Sequence, residues 1–225
     1  MSDLLLNEAR SFLIASLRGK KANYETTLPW RRNWETVVLH SLRVENYVVK
    51  ILEGEQSTVS PAERVVLQLA AILHDVGRID GIQVHAKCSA AIVRTWLSEQ
   101  SGIIEQISSP NKLYDLIETH SDKTSRPNDF LSGVLKDADI LDEIGAMSVI
   151  MAQYRPSVDR TSPFFFHQLN EQLIKQEIPY LESKMEILNT QTAKKILSDR
   201  IAFIIQFINQ INQEMQVTET INDPV

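Results

Sequence analysis

The chain has 225 residues, of which 43% are hydrophobic and 23% are charged, a composition that is ordinary for a globular protein with a buried core. Its formal net charge of −6 at pH 7 argues against general binding to nucleic acid or to an anionic membrane surface. The single cysteine excludes an intrachain disulfide. No stretch reaches the roughly 20 apolar residues that a transmembrane helix needs, and polar residues interrupt the apolar N-terminus, so we expect a cytoplasmic protein.

Hydrophobic periodicity predicts a succession of helices, and the sequence contains no convincing pair of strands. The predicted helices cover residues 3–18, 30–53, 61–75, 84–100, 111–120 and 130–154, with two or three more between 164 and 216. A capping-box signature at Ser60-Pro61-Ala62-Glu63 marks the start of the third helix, and Gly77 is typical of a residue that ends it. Several helices with short connections indicate an all-α, bundle-like protein.

Histidine and aspartate side chains recur on three separate predicted helices. His74 and Asp75 stand side by side at the exposed end of an apolar helix, where both can turn toward a common point. His40 lies on an apolar helical face, and a buried histidine needs a partner for its ring nitrogens. Asp139 lies on an apolar stripe, where a carboxylate is costly unless it is paired or bound to a metal. Imidazole and carboxylate together suit a divalent transition metal, and the lack of nearby cysteines argues against a structural zinc site.

The order His40, then His74-Asp75, then Asp139 resembles the HD superfamily of metal-dependent phosphohydrolases, and especially a bacterial branch of soluble, single-domain enzymes. The stretches that carry the resemblance are residues 40–44, 70–77, 137–146, 164–169 and 185–193. The resemblance implies an all-α HD-domain helical bundle that forms a single domain over residues 1–225. Within it, the HD core would cover about residues 30–155, and a C-terminal helical extension would cover about residues 163–216.

The resemblance also implies a ligand set for a divalent ion. Its members are His40, His74, Asp75 and Asp139, with Asp137 as the rival for the fourth place. We favour Asp139 because the family's last ligand usually follows a small residue and precedes an apolar one. Helical residues two positions apart point about 200° apart, so only one of these two aspartates can face the site. Mn²⁺, Fe²⁺, Co²⁺ or Mg²⁺ would suit this mixture of nitrogen and oxygen ligands.

Four further residues near the predicted ligands are expected to take part in the chemistry. Arg43 lies one helical turn after the first histidine, and Arg78 follows the His-Asp turn, so both are expected to contact phosphate. His85 and His120 fall in the interval where two-metal HD relatives carry further histidines. The doubled histidine of those relatives is missing here, because a serine follows His120. We therefore predict one tightly bound ion, with both histidines near the site but outside its ligand set.

The resemblance implies a hydrolase that uses metal-activated water to cleave a phosphoester or phosphoanhydride bond of a small phosphorylated metabolite, with a nucleotide as the expected substrate. Lys123 and Arg126, in a basic loop, would extend the phosphate-facing side. Asp142 and Glu143 are both candidates for a general acid, and the sequence does not choose between them. Two alternatives stay open: a di-iron HD-type oxygenase and a non-catalytic HD-like signalling module. The oligomeric state also stays open.

Overall fold

The computed structural model describes residues 2–22, 26–56, 59–79, 84–125 and 127–215. Its helices are α1 (Ser2–Leu17), α2 (Trp34–Gly54), α3 (Pro61–Leu73), α4 (His85–Glu99), α5 (Ser101–Ile104), α6 (Pro110–Thr119), α7 (Phe130–Leu141), α8 (Ala146–Ala152), α9 (Phe165–Gln172), α10 (Ile178–Ile187) and α11 (Gln191–Met215). In these ranges the extended pairing consists of an isolated bridge between Lys21 and Asn33. The predicted all-α fold is therefore confirmed. None of the helices in these ranges is long and apolar enough to cross a lipid bilayer.

The first of two compact units comprises Met1–Asp142 and Leu188–Ala193, and α3 is its central helix. This helix contacts α1, α2, α6 and α7, which explains why its sequence is apolar on nearly every side. Its fully or almost fully buried side chains are Val66, Leu67, Leu69, Ala70, Ala71, Ile72 and Leu73. The helix thus ends inside the unit, so the expectation that His74 and Asp75 stand at an exposed helix end is wrong: both side chains are fully buried.

The capping box that begins α3 is present as predicted. The Glu63 backbone N–H donates to Ser60 Oγ at 3.2 Å, and the Ser60 backbone N–H donates to Glu63 Oε2 at 3.0 Å. These two bonds satisfy donors that the first turn of a helix leaves without an internal partner. The start of the helix is therefore determined locally by its sequence.

The end of α3 differs from the prediction. The helix stops at Leu73, and Gly77 lies three residues beyond the helical cap position, without a left-handed backbone conformation. A Cβ on Gly77 would lie 2.7 Å from the backbone nitrogen of Ser89 and 2.8 Å from Cβ of Cys88. The Gly77 backbone N–H also donates to Ser89 Oγ at 2.9 Å. The interpretation of Gly77 as a helix-ending residue is therefore wrong: glycine is needed here because α4 approaches the backbone closely.

The predicted helix over residues 130–154 is also wrong, because the chain breaks it into α7 and α8. Asp142 is extended at φ −66° and ψ 146°, Glu143 has φ +57°, and Gly145 has φ +90°. Left-handed backbone is available to glycine at little cost and is uncommon for other residues. Apolar residues continue on both sides of this turn, so periodicity alone does not reveal it.

The second compact unit comprises Glu143–Ile187 and Lys194–Val225, and its described part contains α8, α9, a π-helical turn at Leu173–Glu177, α10 and most of α11. The predicted extra helices after residue 164 are present, and Pro179 is the second residue of α10, directly after the π-helical turn that joins α9 to α10. Buried leucines recur along this unit, at Leu169, Leu173, Leu181 and Leu197. The proposed single domain, with a core at about 30–155 and an extension at about 163–216, stays a prediction.

Candidate metal centre

Three helices of the first unit bring the four predicted metal ligands together. His40 Nε2, from α2, lies 3.1 Å from Nε2 of His74, which caps the end of α3. The same nitrogen lies 3.4 Å from Asp75 Oδ2 and 3.2 Å from Asp139 Oδ1, from α7. His74 Nε2 lies 3.7 Å and 3.9 Å from these two carboxylate oxygens. Adjacent ligands of a six-coordinate ion at about 2.1 Å are about 3.0 Å apart, and opposite ones about 4.2 Å apart. The spacing therefore fits one shared ion.

Backbone carbonyls orient two of the histidines. The Nδ1–H of His74 donates to the Ala71 carbonyl at 2.8 Å, and the Nδ1–H of His120 donates to the Ile117 carbonyl at 2.6 Å. A carbonyl oxygen can only accept, so the proton resides on Nδ1 and the lone pair of Nε2 remains available. Both rings thus present Nε2 to the interior, in the tautomer that a metal ligand requires.

Burial and neighbouring charges shift the pKa values of the residues in this cluster in different directions. Burial is the largest effect on His74 and lowers its pKa to about 3, so the ring is neutral at pH 7. Burial also opposes the charge on His40, but hydrogen bonds to Asp139 and Asp142 outweigh it and raise the pKa of His40 to about 9. Although burial disfavours a charged Asp75, the nearby His74 and Arg78 hold the pKa of this carboxyl well below its usual range. The cluster therefore offers ionised carboxylates to a cation.

A second group of side chains meets the other oxygen of Asp75. Asp75 Oδ1 lies 3.4 Å from His85 Nε2 and 3.5 Å from His120 Nε2, and these two nitrogens are 3.2 Å apart. Asp75 Oδ1 is buried and has no hydrogen-bond partner among the described residues. An orphaned buried carboxylate oxygen is costly, and a bound divalent cation is the kind of partner that would satisfy it. The donor set of the cluster thus fits a metal, and Asp75 faces both groups of histidines.

Carboxylates hold the basic residues near the cluster. Arg43 donates from Nε to Asp142 Oδ1 at 2.6 Å and from Nη2 to Asp142 Oδ2 at 2.9 Å. Arg78 Nη1 donates to Asp75 Oδ2 at 2.6 Å, and Lys123 forms an ion pair with Asp139. The phosphate contacts of Arg43 and Arg78 stay predictions. Arg126, from the predicted basic loop, lies outside the described residues.

The two rival aspartates of α7 have different surroundings. Asp139 faces the histidine cluster, whereas Asp137 is fully buried and accepts hydrogen bonds from Asn189 and Thr190. The sequence argument about their opposite directions on the helix therefore agrees with the geometry. Sequence reasoning missed the partner of His40: Asp142 Oδ2 lies 2.7 Å from its Nδ1. The three-residue spacing from Asp139 to Asp142 is the one signal that could have suggested it.

Comparisons with known proteins agree with this architecture. The HD domain family model matches residues 37–144. The crystal structure of Bacillus subtilis YpgQ in complex with ADP is 21% identical, with 96% of this chain and 98% of that chain covered and a TM-score of 0.55. A predicted HD superfamily hydrolase from an uncultured Thermotogales bacterium is also 21% identical, with coverages of 93% and 92% and a TM-score of 0.55. The Lin1889 protein from Listeria innocua is 16% identical, with coverages of 96% and 98% and a TM-score of 0.55.

A sequence search of the curated proteins gave no significant match. At identities of 16–21%, the solved structures show a shared fold and no more. The family model covers α2, α3, α4, α6 and α7, which carry the histidine and aspartate cluster. With this match over residues 37–144, the predicted resemblance to the HD superfamily is confirmed for this part of the chain.

Proposed function

We propose that this protein is a metal-dependent phosphohydrolase, which cleaves a phosphoester or phosphoanhydride bond of a small phosphorylated metabolite. The observation that carries the proposal is the convergence of two imidazole nitrogens and two carboxylates, from His40, His74, Asp75 and Asp139. We assign these four residues as the metal ligands. The two carboxylates neutralise the charge of one divalent ion, and mixed nitrogen and oxygen ligands suit Mn²⁺, Fe²⁺, Co²⁺ or Mg²⁺.

A divalent ion held there would polarise a phosphoryl oxygen and lower the pKa of a bound water. The protein's own residues supply the remaining functions. Arg78 and Lys123, whose side chains are 37% and 23% exposed, place positive charge at the edge of the acidic cluster. This charge reduces the repulsion between an anionic substrate and the carboxylates. His85 and His120 have Nε2 atoms close enough to the cluster to orient water or to donate to a phosphate oxygen.

A nucleotide is the substrate class that we propose. Bacillus subtilis YpgQ, which shares the fold along nearly its whole length, was crystallised in complex with ADP. The histidine cluster lies at one end of α3 and is bordered by basic side chains, as recognition of a polyphosphate requires. The support for the nucleotide is therefore the fold of YpgQ together with local positive charge.

The experiment is a phosphate and pyrophosphate release screen over nucleoside mono-, di- and triphosphates. The chelated protein is reloaded with Mn²⁺, Fe²⁺, Co²⁺ or Mg²⁺, and His74→Ala is compared with wild type. We expect release from at least one nucleotide, and its loss in His74→Ala. His167→Ala is the matched control, because His167 is exposed on α9 and makes a ring contact with Phe164. Metal-loaded wild type without release, or equal release by His74→Ala, would contradict the proposal.

A second candidate function is a di-iron HD-type oxygenase. The observation that favours it is the second group of histidines at Asp75 Oδ1, because Asp75 could then bridge two ions. This group adds only neutral nitrogens to a shared carboxylate, so charge balance favours one ion. Iron content and oxygen consumption separate the two candidates: two irons per chain with substrate-dependent oxygen uptake would favour the oxygenase.

A further inference from the structure

His40 is held in a different way from the other histidines of the cluster. His74 and His120 lie just after the ends of α3 and α6, and their Nδ1–H groups donate to carbonyls three residues earlier. The last carbonyls of a helix have no partner within it, so they are available for such bonds. His40 lies inside α2, which continues to Gly54, and the carbonyls around it serve the helix itself. Its Nδ1 therefore needs an acceptor from another part of the chain.

That acceptor is Asp142, the residue that follows α7. Asp142 Oδ2 lies 2.7 Å from His40 Nδ1, and the Asp142 side chain is 2% exposed. A buried carboxylate is costly unless it is paired, and the Arg43 guanidinium satisfies this requirement with two bonds of 2.6 Å and 2.9 Å. Arg43 lies one turn after His40 on α2, so one face of this helix presents both groups to the same carboxylate.

The backbone after α7 directs this carboxylate toward α2. Asp142 leaves the helix in an extended conformation, and Glu143 then adopts a left-handed φ of +57°. Such a φ is uncommon for a residue other than glycine and persists only where surrounding contacts favour it. Because α7 also carries Asp139, the contact of Asp142 with His40 and Arg43 joins the two helices that carry His40 and Asp139.

We propose that Asp142, held in place by Arg43, is a positioning residue that keeps His40 with Nδ1 protonated and Nε2 directed at the metal ligands. This inference rests on the proposed metal site. A carboxylate acceptor fixes the ring and makes its other nitrogen a better ligand, and loss of such a partner typically lowers metal affinity about 10–100-fold. Arg43 consequently acts on His40 through Asp142.

The first measurement is Mn²⁺ affinity by isothermal titration calorimetry of the chelated protein. Asp142→Asn keeps the shape of the side chain but removes its negative charge and replaces one of its two acceptor oxygens, which bind His40 and Arg43, with an NH₂ donor. We expect its affinity to fall about 10–100-fold. Arg43→Gln, which removes the guanidinium fork and leaves the carboxylate, is expected to lie between Asp142→Asn and wild type. Asp199→Asn is the matched control, because this exposed aspartate of α11 pairs with Lys195.

The second measurement is the ring ¹⁵N spectrum of the metal-free protein at about pH 10, where the His40 ring, with its pKa of about 9, carries a single proton, and it reports the tautomer of each histidine. In wild type we expect His40 with its proton on Nδ1, and in Asp142→Asn a mixture with the other tautomer. His74 keeps its signals in both proteins, because its acceptor is a backbone carbonyl. A general loss of folding would change all histidine signals together, so the selective change at His40 identifies the positioning role.

His40→Ala separates this inference from the proposed function. Equal Mn²⁺ binding by wild type and His40→Ala would overturn the metal site itself. The positioning role alone would be overturned by a different result. In that case His40→Ala loses Mn²⁺ binding, but Asp142→Asn and Arg43→Gln both keep wild-type affinity and an unchanged His40 tautomer. If Asp142→Asn does not fold, the Mn²⁺ affinity and the His40 tautomer of Arg43→Gln test the positioning role instead.

Discussion

The two aspartates of α7 allow a direct test of which residue stabilises the fold and which one binds the metal. Asp137 and Asp139 are separated by one residue, yet only Asp139 faces the histidine cluster. Asp137 Oδ2 accepts from the Thr190 backbone N–H at 2.7 Å and from Thr190 Oγ1 at 2.8 Å. Substitution of the first should therefore change stability, and substitution of the second should change metal affinity.

The expected loss of stability in Asp137→Ala can be calculated from the hydrogen-bond donors that lose their acceptor. Thr190 is buried, and each buried donor that loses its partner costs about 1–3 kcal/mol. Two such donors give a loss of about 2–6 kcal/mol in the free energy of unfolding. Asn189 also donates to Asp137, but it is exposed and can turn to water instead. With a urea m-value of about 3 kcal/mol per M, the unfolding midpoint should fall by about 0.7–2 M.

For Asp139→Asn we expect the opposite result. Loss of a direct ligand should lower Mn²⁺ affinity by more than the roughly 10–100-fold that loss of an outer partner costs. Its stability without metal should fall by less than that of Asp137→Ala, since the amide oxygen of asparagine can still accept from His40 or Lys123 although the ion pair is lost.

The assay is urea unfolding followed by far-UV circular dichroism in EDTA, so that bound metal does not stabilise the native state, together with Mn²⁺ calorimetry. Asp199→Asn is again the control and should change neither quantity. The reasoning is refuted if Asp137→Ala loses Mn²⁺ binding at an unchanged urea midpoint while Asp139→Asn unfolds early and still binds the ion.

Three further predictions concern the rest of the first unit. His74→Ala and Asp75→Asn should abolish Mn²⁺ binding. Both should keep the helical circular dichroism signal, because the two residues follow the end of α3. Wild-type affinity in either variant would contradict this prediction. Elemental analysis should find one ion per chain in wild type, His85→Ala and His120→Ala, whereas two ions in wild type with one lost in a variant would show that Asp75 bridges. Asp129→Ala removes the side-chain cap of α7 and should lower the free energy of unfolding by about 1 kcal/mol.

The effect of Asp129→Ala should depend on pH. Burial opposes the charge on Asp129, but Lys112 and the capped helix end outweigh it and lower its pKa. A carboxyl whose pKa is lower in the folded protein stabilises the fold above its unfolded value, which is about 4, and loses this contribution as pH falls through the folded pKa. The stability difference from wild type should therefore be constant above about pH 5 and shrink below it. A difference that persists unchanged to pH 2 would contradict this assignment.

Local sequence was sufficient for much of the helical framework. The capping box of Ser60 and Glu63 appears as predicted, because its partners are three residues apart and no distant part of the chain is needed. The positions of the four predicted ligands could also be inferred: His40 and Asp139 each interrupt an apolar face, where an unpaired polar group would be costly, and His74 and Asp75 stand at the end of an apolar helix. Their assignment as ligands stays a prediction, but their donor atoms are close together.

Tertiary structure decided how these positions are held and where a helix breaks. The partner of His40 is 102 residues away in the chain, and the donors to Asp137 are 52 and 53 residues away. Gly77 is required by the approach of α4, and the turn after Leu141 places Asp142 against α2. Periodicity records which face of a helix is buried, but not which distant carboxylate or backbone will meet it. Such pairings depend on the packing of whole helices, so the sequence alone could not determine them.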